Sequence, residues 1–564
     1  MFKFANIPSC RSICFVGSNH SNQPWLWFRE VSLLGSSRIR PGLVLAWALL
    51  TFFACFVLAP AIFAEAPRLT RPNILYILAD DLGPGDVSCY NPKSAWKTPH
   101  LDRLAGEGMV FTDAHSASSL CTPSRYALLT GRYAWRGALK SGVTRGYSSS
   151  IIEPGRLTVP AFLRAHGYAT AMLGKWHLGL EWARKGPNPE DVDFAKPFGR
   201  GPTAHGFDRF FGISASLDMP PYVWLENDRA VSLPTGTIED SPTPKLWRAG
   251  VISRDFRLEE VQPRLTEKAI AYLTERAASR DDKPFFLYVA LAAPHTPILP
   301  TREFDGKTQT TPYGDFVVQV DADIGKIVAA LDANGLATNT LVIVTSDNGF
   351  APAANVPDLK PFKHDSSAGL RGVKSDLFEG GHRMPFIVRW PAVTPAGTRC
   401  AETIGQFDLL ATCADLLGTK LPADAGEDSV SFLPLLRGKP ALDSRREAVV
   451  HHSANGSFSI RQGQWKLLLC PGSGGWSYPS TSPSVWTRPV ADNLEGLPPF
   501  QLYNLAIDWA EKTNVATGHL DIVQRLGRLM RSYVEGGRST PGASQTHVPP
   551  GGWPETEWMK AFPK

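Results

Sequence analysis

From Pro72 onward, short apolar runs alternate with amphipathic stretches, the pattern of an α/β sheet domain. Strands are predicted at Asn73–Ala79, Ala169–Gly174, Phe285–Leu291, Leu341–Thr345 and Phe386–Arg389. These runs are nearly continuous in Val, Ile and Leu, which implies a sheet covered on both faces. Val317, Val320, Ile324, Ile327 and Leu331 share one face of a predicted helix that stops at Asn334-Gly335, a good C-terminal cap. A second helix is predicted from Thr98-Pro99, a capping residue followed by proline at the first helical position. The stretch from Ser429 to Pro440 reads as a crossing into a smaller C-terminal unit. There, Glu447–His452 and Trp465–Leu469 read as strands and His519–Val534 as a closing helix, with a Gly/Pro/Ser-rich loop from Cys470 to Pro499. The expected organisation is a leader over 1–66, a large domain over 72–428, a C-terminal subdomain over 429–540 and a surface tail over 541–564.

The leader changes the picture most. Its run Leu43–Ala64 is almost wholly apolar, follows Arg38 and Arg40, and offers small residues for cleavage near Ala61 and Ala64. That is the pattern of an export signal, although the run is also long enough for an uncleaved membrane anchor. Either way the body is expected outside the cytoplasm: periplasmic, secreted or lysosomal according to source. Five cysteines follow the leader, at 89, 121, 400, 413 and 470. An odd number in an oxidising compartment implies a thiol that is unpaired or chemically altered. No Cys/His spacing suggests zinc. Hydrophobic content of 43% and charged content of 20% are those of a globular protein, and the formal charge of +5 is spread along the chain. Nothing in it suggests a nucleic-acid partner.

Three of the apolar strands end in polar residues suited to chemistry. NILYILADDLG ends in Asp80-Asp81, LVIVTSDNG in Asp347-Asn348, and FFLYVALAAPHTP near His295. Ligands of doubly wound sheets bind beyond the carboxyl ends of strands, so these ends can converge. Three carboxylates and an amide oxygen are hard ligands for calcium or magnesium. Cys121-Thr122-Pro123-Ser124-Arg125 is the strongest segment. Thr122 is expected to cap a helix with Pro123 at its first position, leaving Cys121 just before a helix N-terminus that favours an anion. Arg125 would lie one turn further on. Lys175 and His177, two apart, point to one face of an extended strand.

CTPSR resembles the Cys-x-Pro-x-Arg sequence of type I sulfatases, in which the cysteine is oxidised to formylglycine. The ADD strand end, Gly174-Lys175-Trp176-His177, Pro294-His295, Ser346-Asp347-Asn348-Gly349, RGVKSDLFEGGHRMP and the closing LYNLAIDWAEKTNVA (502–516) agree with that family in order. Trp509 departs from it, where proline is common. The likeness is closest to the arylsulfatase A and N-acetylgalactosamine-6-sulfatase group. It implies an alkaline-phosphatase-like mixed sheet with helices on both faces and a smaller C-terminal α+β domain with an antiparallel sheet. It also implies a sulfuric ester hydrolase with one Ca2+ held by Asp80, Asp81, Asp347, Asn348 and the modified residue 121. Arg125, Lys175 and Lys374 would surround the sulfate, and His177 and His295 would move protons. The implied partners are a sulfated carbohydrate or aryl sulfate and a formylglycine-generating or sulfatase-maturating enzyme. A related phosphate monoesterase would share the sheet and metal ligands, and a sulfated-glycan-binding protein without turnover would share the fold. A cysteine-phosphatase loop is excluded, because it needs arginine six positions after cysteine and Arg125 is four after Cys121. The segment His205–Asp228 is rich in aromatics that either stack on a sugar ring or pack a loop.

Overall fold

The computed structural model describes residues 71–242, 245–352, 356–439, 446–477, 494–546 and 552–564. The leader with its apolar run 43–64, and residues 478–493 of the expected loop, lie outside the described residues. The described residues cluster as one compact unit. Among the described residues, no helix is long and apolar enough to cross a membrane.

The main sheet has ten strands. They are β1 (Asn73–Asp80), β2 (Met109–Phe111), β3 (Ala169–Lys175), β4 (Arg209–Ile213), β5 (Leu225–Glu226), β6 (Arg229–Ala230), β7 (Phe285–Pro294), β8 (Thr340–Ser346), β9 (Phe386–Arg389) and β10 (Thr398–Cys400). Their spatial order is β10-β2-β9-β8-β1-β7-β3-β4-β5-β6. The central run β8, β1, β7, β3, β4 is parallel, with Ile74 opposite both Phe286 and Leu341. Strand β9 turns antiparallel to β8, so the sheet is mixed. Along β1 the side chains divide by parity, which is why the run is continuously apolar. Ile74, Tyr76 and Leu78 pack into one core, which also takes in Tyr126 and Leu128. Leu75, Ile77 and Ala79 pack into another, with Leu101, Leu265 and Val320.

Helices α1 (Pro99–Glu107), α2 (Cys121–Thr130), α3 (Val261–Ala278) and α4 (Pro312–Ala333) supply those layers. Helix α4 starts at Thr311, whose hydroxyl accepts from Gly314 N at 3.2 Å, and gives way to Gly335 at φ 71°. All five residues expected on its apolar face are buried. Of the two expected caps, Thr98 is the N-cap residue of α1 as expected and Thr122 is corrected. Thr98 holds the N-cap position ahead of Pro99, but its hydroxyl accepts from Ser88 N at 2.9 Å and makes no hydrogen bond to the first turn of α1. Helix α2 begins at Cys121 itself with Leu120 as N-cap, so Thr122 lies inside the first turn. The Thr122 hydroxyl is drawn off to Thr144, accepting from its N–H at 3.2 Å. Pro123 is still tolerated, because first-turn N–H groups have no intrahelical partner.

A second, antiparallel sheet is formed by β11 (Val449–His452), β12 (Phe458–Gln462), β13 (Trp465–Leu468) and β14 (Gln501–Asn504), with helix α5 (Leu520–Gly536) packed on it. The closing segment differs from the expected surface tail. It carries a 3-10 helix, Pro554–Ala561, and Phe562 is fully buried against Gly527 of α5, where a Cβ would meet its ring at 2.1 Å. An aromatic ring that removes this much apolar area from water holds a chain end in place.

Candidate active site

Strands β8, β1, β7 and β3 are neighbours and parallel, so their carboxyl ends open on one edge. That edge receives Asp347-Asn348, Asp80-Asp81, His295 and Lys175-Trp176-His177. Two features of the backbone make the gathering possible. Gly174 has φ 114°, and a Cβ there would lie 1.8 Å from the Ala290 carbonyl oxygen, so only glycine lets β3 close on β7 beside Lys175. Gly349 meets Gly380 as tightly, its would-be Cβ 1.9 Å from that carbonyl oxygen. Asp81 and His177 also take left-handed backbone angles, φ 66° and 58°, a strain that non-glycine residues carry mainly where surroundings demand it.

The side chains form one buried network. Lys175 Nζ donates to Asp80 Oδ2 at 2.6 Å. Arg125 reaches Asp347 Oδ2 through Nε at 3.0 Å and Nη2 at 2.8 Å, with Asp80 Oδ1 3.6 Å away. Its Nη1 donates to the Lys175 carbonyl oxygen at 3.0 Å. Lys374 Nζ lies 2.8 Å from Asp81, and Asn348 Nδ2 donates to Asp81 Oδ1 at 2.7 Å. Cys121 Sγ is 3.7 Å from Asp80 Oδ1. His295 Nε2 is 3.5 Å from Asp81 Oδ2, and its Nδ1 donates to the Thr296 carbonyl oxygen at 2.6 Å. His177 Nε2 donates to the Thr144 carbonyl oxygen at 2.8 Å, which leaves the buried Nδ1 bare and without a partner. All the residues expected at the site are therefore gathered in one region.

Electrostatics decide what this network can do. Burial works against ionisation of Asp80, but Lys175, His295, Arg125 and Lys374 outweigh it and hold the carboxyl well below its usual range. Asp347 is pushed up by burial and by Asp80, against the pull of Arg125. Burial also pushes the Cys121 thiol up, so an unaltered cysteine here is a thiol rather than a nucleophilic thiolate. His177 is held neutral by burial, and by Lys175 and Arg125 beside it. Burial opposes the charge on Lys374, yet Asp81 and its neighbours raise its value and keep it an ammonium.

The donor set fits a hard divalent cation. One ligand atom each from Asp80, Asp81, Cys121 and His295 lies within 4.8 Å of the others. Asn348 Oδ1 is buried with no hydrogen-bond partner. An orphaned amide oxygen beside three carboxylates is what a calcium site offers. Carboxylates Asp80, Asp81 and Asp347 balance cations Arg125, Lys175 and Lys374, so a divalent ion would tip the site positive, toward an anion. A second cluster, His115, His382 and His451, also places one ring nitrogen of each within 4.8 Å. There the His382 and His451 rings stack at 3.6 Å and 11°, so their in-plane lone pairs cannot meet on one ion.

A cavity of about 510 Å³ opens over the network and is lined by Asp81, Cys121, His177, His295 and Lys374. Sequence reasoning missed Ser216, Asp218 and Arg248 on its wall. Ser216 Oγ lies 3.1 Å from Lys175 Nζ and 3.3 Å from the His295 ring nitrogens, bridging the two. The available signal was topological: β4 runs parallel to β3, so the Ser-Ala-Ser-Leu-Asp stretch after it faces the same edge. The aromatics of 205–228 pack inward instead. Phe207, Phe210, Phe211, Tyr222 and Trp224 are buried in the two cores, with Trp224 stacked on Phe211 at 4.9 Å. All five described cysteines are free.

Buried cations ringing a carboxylate cluster, at the strand ends of a sheet covered on both faces, define a hydrolase of oxyanion esters. The chain belongs to the sulfatase family: residues 72–419 match the family "Sulfatase". It is accordingly a sulfuric ester hydrolase. It is 36% identical to the N-acetylgalactosamine-6-O-sulfatase of Bacteroides thetaiotaomicron, over 82% of this chain and 93% of that one. Human arylsulfatase A is 34% identical, over 79% and 84% respectively. A solved structure from Bacteroides thetaiotaomicron, described with the metabolism of multiple glycosaminoglycans, superposes with a TM-score of 0.69 at 33% identity, covering 82% of this chain and 99% of that one.

Proposed function

We propose that the chain releases inorganic sulfate from a sulfated carbohydrate, with residue 121 acting as a formylglycine made from Cys121. The observation that carries this is the placement of Cys121: buried at the first turn of α2, 3.7 Å from Asp80 and in one cavity with Lys374, His177 and His295. Asp80, Asp81, Asp347, Asn348 and the oxygen of the modified residue would hold one calcium ion, which supplies Lewis-acid stabilisation of charge on oxygen.

Lys175, Lys374 and Arg125 add positive charge where the sulfate oxygens sit. The hydrated residue 121 presents two hydroxyls on one carbon. One of them, relieved of its proton by Asp347, attacks sulfur. As the new S–O bond forms, the bond from sulfur to the leaving oxygen breaks. His295, beside Lys374 and Ser216, gives that oxygen its proton. Residue 121 then carries the sulfate. His177, neutral and with Nδ1 bare, takes the proton of the second hydroxyl. The C–O bond to sulfate cleaves, sulfate departs and the aldehyde returns. The substrate class is supported by the N-acetylgalactosamine-6-O-sulfatase relative. The remaining parts of the reading are export through the leader, a maturating enzyme as the partner that oxidises Cys121, and a division into a catalytic domain over 72–428 and a subdomain over 429–540.

Sulfate release from an aryl sulfate and from defined sulfated monosaccharides, compared with phosphate release from the matching phosphate esters, tests the reading. Turnover of sulfate esters with phosphate esters at least about a hundredfold slower is expected, a discrimination of roughly 3 kcal/mol. Phosphate release that outpaces sulfate release would sink it.

A further inference from the structure

Two charged side chains on the cavity wall have no part in the hydrolysis just described. Asp218 lies two residues past Ser216, and Arg248 leads into the short strand Gly250–Ser253. Both line the same cavity as Cys121 and His295. They are built into a rigid unit. Arg248 Nη1 donates to Asp218 Oδ2, and Arg248 Nη1 and N donate to the Asp218 carbonyl oxygen at 3.2 and 3.1 Å. The Tyr222 hydroxyl in turn donates to the Arg248 carbonyl oxygen at 2.7 Å.

The pair is unfinished on one side. Asp218 is buried, and its Oδ1 has no hydrogen-bond partner. The Arg248 side chain is half exposed, and a guanidinium has donors to spare beyond those used on Asp218. A buried carboxylate oxygen left unpaired is costly, so the arrangement is complete only when something donates to it. Burial opposes the charge on Asp218, but His295 and Arg248 hold its carboxyl below the usual range, so it stays an acceptor. The remainder of the wall near it, Met219, Leu246, Val143 and Trp476, is apolar. A flat aryl sulfate would fill that wall and give Asp218 nothing to bind. A sugar ring brings a hydroxyl.

We propose that Asp218 and Arg248 form the specificity subsite for the ring that carries the sulfate. The Asp218 carboxylate accepts a hydrogen bond from a ring hydroxyl, and Arg248 donates to a neighbouring ring oxygen. The subsite rests on the carbohydrate-sulfatase reading above and says how that site tells a sugar from an aryl group.

The test compares kcat/KM for N-acetylgalactosamine 6-sulfate and for 4-methylumbelliferyl sulfate in the parent and in Asp218→Asn and Arg248→Ala, all with residue 121 fully modified. The expected result is a fall of about tenfold or more in the sugar-to-aryl ratio for each variant, because a buried group built to bind a substrate hydroxyl discriminates strongly against its absence. A ratio equal to the parent's in both variants overturns the subsite, whether the two activities fall together or stay level. Arg248→Ala at its half-exposed position guards against a result that reflects only misfolding of Asp218→Asn. A parent enzyme that hydrolyses the aryl ester but neither the sugar ester nor any other sulfated monosaccharide refutes the carbohydrate reading, and the subsite with it.

Discussion

In the proposed mechanism, a second oxygen on one carbon at residue 121 separates turnover from a dead end. Serine at that position can take up sulfate but has no second hydroxyl to expel it. Cys121→Ser is therefore expected to release at most one equivalent of alcohol and to retain sulfate on the protein, a gain of about 80 Da by intact mass. Repeated turnover by this variant contradicts the mechanism. Asn348 is the other residue whose state is informative, since its Oδ1 is orphaned in the buried network. Chelation by EGTA is expected to lower the thermal midpoint and abolish activity, with calcium restoring both. Asn348→Ala should then need about tenfold more calcium for half-restoration. Equal calcium titrations for variant and parent would remove Asn348 from the proposed metal site. Both residues are legible in the amino-acid sequence because each ends a strand or starts a helix, where motif order and topology agree. Ser216, Asp218 and Arg248 are not, because small polar and charged residues in loops carry no pattern until β4 is laid beside β3.

Among the elements, the strands were the most legible: β9 falls at Phe386–Arg389 as expected, and β1 extends only to Asp80. Caps were less so. A threonine before a proline looks alike whether its hydroxyl turns to the helix or is taken by a neighbour such as Ser88 or Thr144. The short 3-10 helix Pro202–His205 supplies a pH prediction. Its His205 stacks near Trp176, and burial, aided by Arg200, lowers its value from 6.5 to about 4. The unfolded chain takes up this proton below the ordinary value, and the folded chain does not. The contribution is thus complete above pH 6.5 and is lost as pH falls toward 4. Between neutral pH and pH 5, His205→Gln is expected to lose about 1–2 kcal/mol less stability than the parent, measured by urea midpoints. Identical pH slopes would show that His205 is protonated as freely folded as unfolded.

In the whole molecule the second sheet does more than close the chain. The segment leading into Cys121 is held by β11: Ser119 N donates to the His452 carbonyl oxygen at 3.0 Å and Ser118 Oγ to the same oxygen at 2.7 Å. Beneath that contact runs a buried charged seam. Lys466 of β13 lies 3.0 Å from Glu379 and 2.9 Å from Glu511, and Arg461 of β12 lies 2.8 Å from Asp113. Burial pushes Glu511 up to about 7, whereas Lys466 leads the cations that hold Glu379 well below its usual range. Lys466→Met would strand Glu511 without its cation and leave Glu379 with Arg383 and Arg461 alone. A loss of about 3 kcal/mol is expected, read as a lower urea midpoint. An unchanged midpoint would show the seam to be incidental. The sequence announced a smaller C-terminal unit but not this seam, because its members are scattered from Asp113 to Glu511 and meet only in three dimensions.

Residue 121 can be weighed directly. In fully active protein, mass spectrometry of the peptide spanning Cys121 to Arg125 is expected to find that residue about 18 Da lighter than cysteine, the exchange of a thiol for an aldehyde. Full activity with an intact thiol at 121 would contradict the account.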